Sequence, residues 1–277
     1  MSFGSRVHAA LAAYGPVCVG IDPHASLLEE WGVGDDISGL ERFSAICVEA
    51  FAGRVGFVKP QSAFFERFGS AGVRVLEDTI AGLRHTGTLV VLDVKRGDIG
   101  STAAAYADAY LDEESPLGAD AVTVSPFLGF GSLEPFFSAA ERNDAGVFVL
   151  ALTSNPEALQ VQHAIDDAGQ TVAGAILGDL RKLNGSAVPM GSYGAVVGAT
   201  IGSAAEDLDI NGPLLVPGFG AQGGTIDDVH RLFTGVLDRV IVSTSRGVLS
   251  AGPDVDALRG SAATLNAELV GSLKTDG

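Results

Sequence analysis

Two of the four lysines in this 277-residue chain stand at the ends of apolar, β-branched runs, in Phe57-Val58-Lys59-Pro60 and Leu92-Asp93-Val94-Lys95-Arg96-Gly97-Asp98. In a strand successive side chains alternate faces, so Asp93 and Lys95 project to one side with Val94 on the other. Lys59, from the neighbouring run, reaches the same place. Two cations and one anion invite a second carboxylate, and Asp98 is the nearest in sequence. An alternating Lys59–Asp93–Lys95–Asp98 array is close to neutral overall and therefore tolerable away from bulk water. It would also hold its lysines charged and positioned as proton donors. The plainer alternative is a buried ion-pair network without chemistry, and the concentration of half the scarce lysines here argues against it.

A second constellation suggests an anion. In Pro217-Gly218-Phe219-Gly220-Ala221-Gln222-Gly223-Gly224 the glycines let the backbone approach a ligand with N–H groups facing it. A helix starting at Thr225 would add its positive end. Arg246, in Ser243-Thr244-Ser245-Arg246-Gly247, can hold a phosphate through its planar fork. Other apolar runs also end in polar residues, at Asp22-Pro23 and Thr153-Ser154-Asn155-Pro156.

These ends need a scaffold that brings them together. Eight strands are expected at Val17–Asp22, Val55–Pro60, Leu89–Lys95, Ala121–Ser125, Val147–Leu152, Ala195–Thr200, Leu214–Pro217 and Arg239–Ser243. Their nearly continuous apolar character is that of strands buried on both faces of a parallel sheet. Amphipathic stretches at Gly39–Phe51, Ala71–Thr86, Leu133–Arg142, Thr171–Leu183, Thr225–Leu232 and Asp254–Leu273 read as the helices between them. The alternation and the length favour an α/β fold, a (β/α)8 TIM barrel forming one domain over residues 1–277, with an open doubly wound sheet as the rival. A barrel places its chemistry where strands run into the following loops, and phosphate after strands seven and eight.

Composition excludes other classes. With 34 acidic and 17 basic side chains the formal charge is −17, which disfavours nucleic acid and anionic membrane as partners. A 47% hydrophobic content is incompatible with a disordered acidic tail. No uncharged run reaches the length of a membrane span, and the N-terminus lacks the apolar core of a signal peptide. The two cysteines, Cys18 and Cys47, form no disulfide framework, so a reducing, cytoplasmic location is expected. The histidines show no metal-ligand spacing, and neither a metal nor an electron-sink cofactor is signalled. His24 is notable for following Asp22 at the expected barrel mouth.

Asp93-Val94-Lys95-Arg96-Gly97-Asp98-Ile99-Gly100-Ser101-Thr102 resembles the D-x-K-x-x-D-I-x-x-T signature of the orotidine 5′-phosphate decarboxylase family. The Lys59 segment and the Pro217–Gly224 loop resemble that family's second-strand lysine and phosphate-gripping loop. The length and Val124-Ser125-Pro126-Phe127-Leu128-Gly129 resemble its longer bacterial (type 2) subfamily. The resemblance implies a homodimeric barrel that converts the nucleoside monophosphate orotidine 5′-monophosphate to UMP and CO2 without a cofactor. It implies that Lys95 protonates C6, that Asp93 lies beside the departing carboxylate, and that Lys59 bridges Asp93 and the ribose. Asp98 is implied to enter the opposite subunit's site, with Ile99 and Thr102 following it. Asp22 matches a ribose-hydroxyl partner and Ser154 a pyrimidine-edge contact. Gln222, Gly223 and Arg246 match the phosphate site, and Pro217 the border of the base pocket. One departure is Ser245, where many relatives have glycine. Magnesium-dependent sugar-phosphate decarboxylases and aldolases resemble the chain at D-x-K-x-x-D but carry a metal-binding carboxylate where Lys59 stands. A silent nucleotide-binding barrel is the non-enzymatic alternative.

Overall fold

The computed structural model describes residues 1–84, 86–201, 205–220 and 223–273. Its eight strands are β1 (Val17–Ile21), β2 (Phe57–Pro60), β3 (Leu89–Arg96), β4 (Ala121–Val124), β5 (Gly146–Leu152), β6 (Tyr193–Val197), β7 (Leu214–Val216) and β8 (Val240–Thr244). They pair in chain order, all parallel, and β1 closes on β8. The closed barrel agrees with the sequence expectation, and no open sheet edge remains. The expected elements fall within a few residues of the observed ones.

Two apolar clusters explain why the strands read as uninterrupted hydrophobic runs. One set of alternate residues, including Val19, Val58, Val90, Val122 and Val242, packs outward against the helices. The other set, including Cys18, Phe57, Val91, Phe148, Val196 and Ile241, fills the barrel interior. Most strand positions are therefore buried, with Lys95 at the end of β3 exposed, although successive side chains still point to opposite faces.

The barrel floor was not foreseen. Helix Phe3–Tyr14, capped by the Ser2 side chain, lays Phe3, Val7 and Ala10 into the interior cluster. The Phe3 ring meets Phe148 edge-on at 6.1 Å between centroids. Gly146 leaves room for it, because a Cβ there would stand 2.2 Å from the Phe3 ring. The i, i+4, i+7 spacing of Phe3, Val7 and Ala10 is the sequence signal for this helix. With its lower end sealed, the barrel is open to a ligand at the C-terminal ends of the strands. Among the described residues no helix is long and apolar enough to cross a membrane.

Candidate active site

A cavity of about 340 Å³ occupies that end, lined by Asp22, Lys59, Asp93, Lys95, Ser154, Pro217 and Arg246 among others. Each comes from the end of a different strand or the loop after it, except Asp93 and Lys95, which share β3. The interior positions just below are apolar; at the mouth the same inward face becomes charged.

The Asp93 carboxylate is the centre of the array. Its Oδ2 accepts from Lys59 Nζ at 2.9 Å, and its Oδ1 accepts from Lys95 Nζ at 2.6 Å and from Thr123 Oγ1 at 2.8 Å. Burial alone would push the Asp93 carboxyl up, but the two ammonium groups and their hydrogen bonds outweigh it and hold it well below the usual carboxylate range. Burial likewise works against the Lys59 cation, and Asp93 followed by Asp22 more than reverses this, raising Lys59 above the ordinary lysine value. The lysines differ in access. The Lys59 side chain is 6% exposed and that of Lys95 is 45% exposed, so Lys95 is the one open to a ligand. Below them burial pushes the Cys18 thiol up to about 12, leaving it an inert part of the interior.

Asp93 and Lys95 do meet, but not by simple strand alternation. The β3–β4 register shifts between Leu92 and Arg96, and Lys95 takes a left-handed backbone with φ 47°. Thr123, inward-facing on β4, secures this bulge by accepting from the amides of Val94 at 3.1 Å and Lys95 at 3.0 Å. Sequence reasoning missed Thr123. Its signal is a hydroxyl on the inward parity of an otherwise apolar strand, two residues from Ala121.

The second carboxylate near the lysines is Asp22 rather than Asp98. Asp98 does not line the cavity, and its Oδ1 accepts from the Ile99 amide at 2.8 Å. Ile99 is 62% exposed, and Thr102 is exposed on the following helix, Gly100–Leu111. Within one chain the array is thus Lys59–Asp93–Lys95 with Asp22 beside Lys59, and Asp98 stands apart from it.

The phosphate-loop expectation is met in position but altered in detail. Pro217, Gly218 and Phe219 line the cavity. Gly223 does not, and its N–H donates to Gly220 O at 2.8 Å, while the N–H groups of Gly220 and Gly224 donate to Gly224 O and Gly218 O. These three amides therefore find partners within the loop instead of facing an anion. The following helix, Ile226–Phe233, is closed by a Thr225–Asp228 capping box, and these hydrogen bonds with Arg231 pull the Asp228 carboxyl down to about 2. Gln222 lies outside the described residues. Arg246 lines the cavity and is exposed, and its side chain makes no hydrogen bond or ion pair among the described residues. Asp22 Oδ1 and Thr244 Oγ1 are buried at the mouth with no partner among the described residues. Buried polar atoms are rarely left so, and both residues line the cavity. His24 also lines the cavity, its ring 4.2 Å from that of Phe64. Among the described residues no three His, Cys, Asp or Glu side chains are gathered as a metal centre would require.

Residues 15–260 match the orotidine 5′-phosphate decarboxylase / HUMPS family. A Nocardioides protein named orotidine 5′-phosphate decarboxylase is 63% identical over 270 residues, covering 96% of this chain and 98% of its own. A crystal structure of a Streptomyces avermitilis protein assigned the same activity superimposes with a TM-score of 0.96 at 55% identity, covering 98% of this chain and 96% of that one. The OMP decarboxylase of Leishmania donovani gives a TM-score of 0.74 at 28% identity over 99% of both chains.

Proposed function

The chain belongs to the orotidine 5′-phosphate decarboxylase / HUMPS family, and on that premise we propose how its residues convert orotidine 5′-monophosphate to UMP and CO2 in pyrimidine biosynthesis. The observation that carries the reading is the Lys59–Asp93–Lys95 array at the barrel mouth, with an exposed ammonium next to a buried carboxylate. Loss of CO2 from C6 leaves an electron pair in the plane of the pyrimidine, out of reach of its π system. A fixed cation where that charge develops lowers the barrier without reorganising at the moment of reaction. Lys95 supplies this charge and then gives its proton to C6. Asp93 stands where the substrate carboxylate departs and keeps both lysines in place. Lys59, too buried to leave its site, links Asp93 to the ribose.

The remaining residues bind and orient the substrate. Arg246 holds the phosphate with Gln222, Asp22 accepts from a ribose hydroxyl, Ser154 contacts the pyrimidine edge, and Pro217 borders the base. Phosphate contacts far from C6 contribute by ordering the loop and excluding water. Asp98, Ile99 and Thr102 serve the site of a second copy in a homodimer. The exposed Ile99 and the position of Asp98 outside its own cavity support this. The two buried, unpaired cysteines support a cytoplasmic location.

Loss of orotidine-monophosphate absorbance in the presence of EDTA tests the reaction. Turnover unaffected by the chelator is expected; a folded sample that leaves the substrate intact would refute the proposal, and turnover that EDTA abolishes would favour the magnesium-dependent relatives.

A further inference from the structure

We propose that Ser245 is a positioning residue whose hydroxyl fixes the Asp22 carboxylate for a sugar hydroxyl and ties sugar recognition to the phosphate-binding turn. This rests on the reading of Asp22 as the ribose partner. Ser245 Oγ donates to Asp22 Oδ2, joining the ends of β8 and β1. Asp22 is 8% exposed, so its carboxylate has little water to orient it. With Oδ2 held by Ser245, Oδ1 is left buried and without a partner among the described residues. Both residues line the cavity, so the carboxylate stands in the wall of the space a ligand would fill. An acceptor held away from water gains most from a donor delivered by the substrate.

The backbone leaves space for this contact. A Cβ on Gly20 would stand 2.0 Å from Ser245 Oγ and 3.4 Å from Asp22 Oδ2. Gly20 has no left-handed backbone, so its need for glycine is one of room, not conformation. Ser245 immediately precedes Arg246 and enters the short helix Arg246–Leu249. The residue expected to hold phosphate and the one that holds Asp22 are therefore neighbours on one turn. Substrate seated on Arg246 draws the same turn that fixes the sugar-binding oxygen. A glycine at position 245 could supply a backbone amide but could not make this link.

The test compares kcat/KM of wild type, Ser245→Gly and Ser245→Ala on orotidine 5′-monophosphate and on its 2′-deoxy and 3′-deoxy analogues. Wild type should disfavour at least one analogue by about tenfold, the scale of one lost hydrogen bond. Both variants should narrow that preference by about threefold or more, because removing the Ser245 hydroxyl harms only a substrate that uses Asp22. Adding Ser245→Gly to Asp22→Asn should narrow it no further than Asp22→Asn alone. Equal losses on all three substrates would overturn the role of Ser245 while leaving Asp22 in place. A wild type indifferent to both hydroxyls would overturn the reading of Asp22, and the proposal with it.

Discussion

Thr123 Oγ1 donates to Asp93 Oδ1 at 2.8 Å, and this one hydroxyl organises the β3 bulge from the neighbouring strand. A threonine hydroxyl has one proton and two lone pairs. The proton goes to Asp93, and the lone pairs receive the amides of Val94 and Lys95. The carboxylate and the backbone that carries Lys95 are thus fixed to each other by a residue outside the charged array.

Thr123→Val keeps the shape but removes the acceptor of two amides and a donor to Asp93. Unfolding free energy should fall by about 1–3 kcal/mol, as for a buried group left unpaired, and kcat should fall as Lys95 loosens. Thr123→Ser should retain most of both. Urea denaturation and initial rates check this; a valine variant as stable and fast as wild type would remove Thr123 from its role.

Lys95→Ala should reduce kcat by about 10³-fold or more while the protein stays folded, in line with the loss of a positioned proton donor and charge. The left-handed backbone at Lys95 adds a second expectation. Lys95→Gly, equally inactive, should be about 1 kcal/mol more stable than Lys95→Ala, since glycine adopts positive φ without strain. Near-normal turnover of either variant would contradict the catalytic assignment.

Asp93 and Lys59 set opposite limbs of the stability profile. The folded Asp93 carboxyl lies below its unfolded value, so its contribution is full above a pH of about 4 and is lost as pH falls from there toward the native value. Folded Lys59 lies above its unfolded value, so its contribution is full below a pH of about 10 and is lost as pH rises beyond that. Asp93→Asn should cost about 3–5 kcal/mol at neutral pH by stranding a buried ammonium and should flatten the acid limb. Denaturation midpoints across pH measure both, and an unchanged acid limb would exclude Asp93 as its source.

Arg246→Ala should lower kcat/KM for the phosphorylated substrate by roughly 2–5 kcal/mol, the range for truncating a desolvated charged contact. Orotidine, which lacks the phosphate, should be turned over equally by variant and wild type. Equal losses on both substrates would mean that Arg246 acts on something other than phosphate.

Mixing two inactive variants tests the shared site. If Asp98 serves the opposite subunit, unfolding and refolding Lys95→Ala with Asp98→Ala should restore roughly a quarter of the wild-type activity. Half the dimers are then mixed, each with one intact site. A mixture as inactive as its parts would place Asp98 outside any shared site.

The barrel was legible because buried parallel strands leave apolar runs between amphipathic helices, and Lys59, Asp93 and Lys95 because charge is conspicuous at the ends of such runs. Thr123 escaped notice because its part depends on which strand lies beside β3 and in what register. Closeness in sequence to Lys95 does not bring Asp98 into the cavity of its own chain, which turns away between them, and a part in a second copy's site depends on an interface rather than on sequence spacing. The loop glycines were read as open to an anion because composition cannot tell an amide facing a ligand from one already bonded across its own turn.

The seal of Phe3 against Phe148 and Gly146 bears on traffic. On the proposed mechanism, carbon dioxide released beside Asp93 finds packed side chains beneath it and must leave by the mouth through which orotidine monophosphate entered. UMP occupies that route while its phosphate is held. Gas and nucleotide therefore share one doorway, and whatever opens it over Arg246 sets the departure of both.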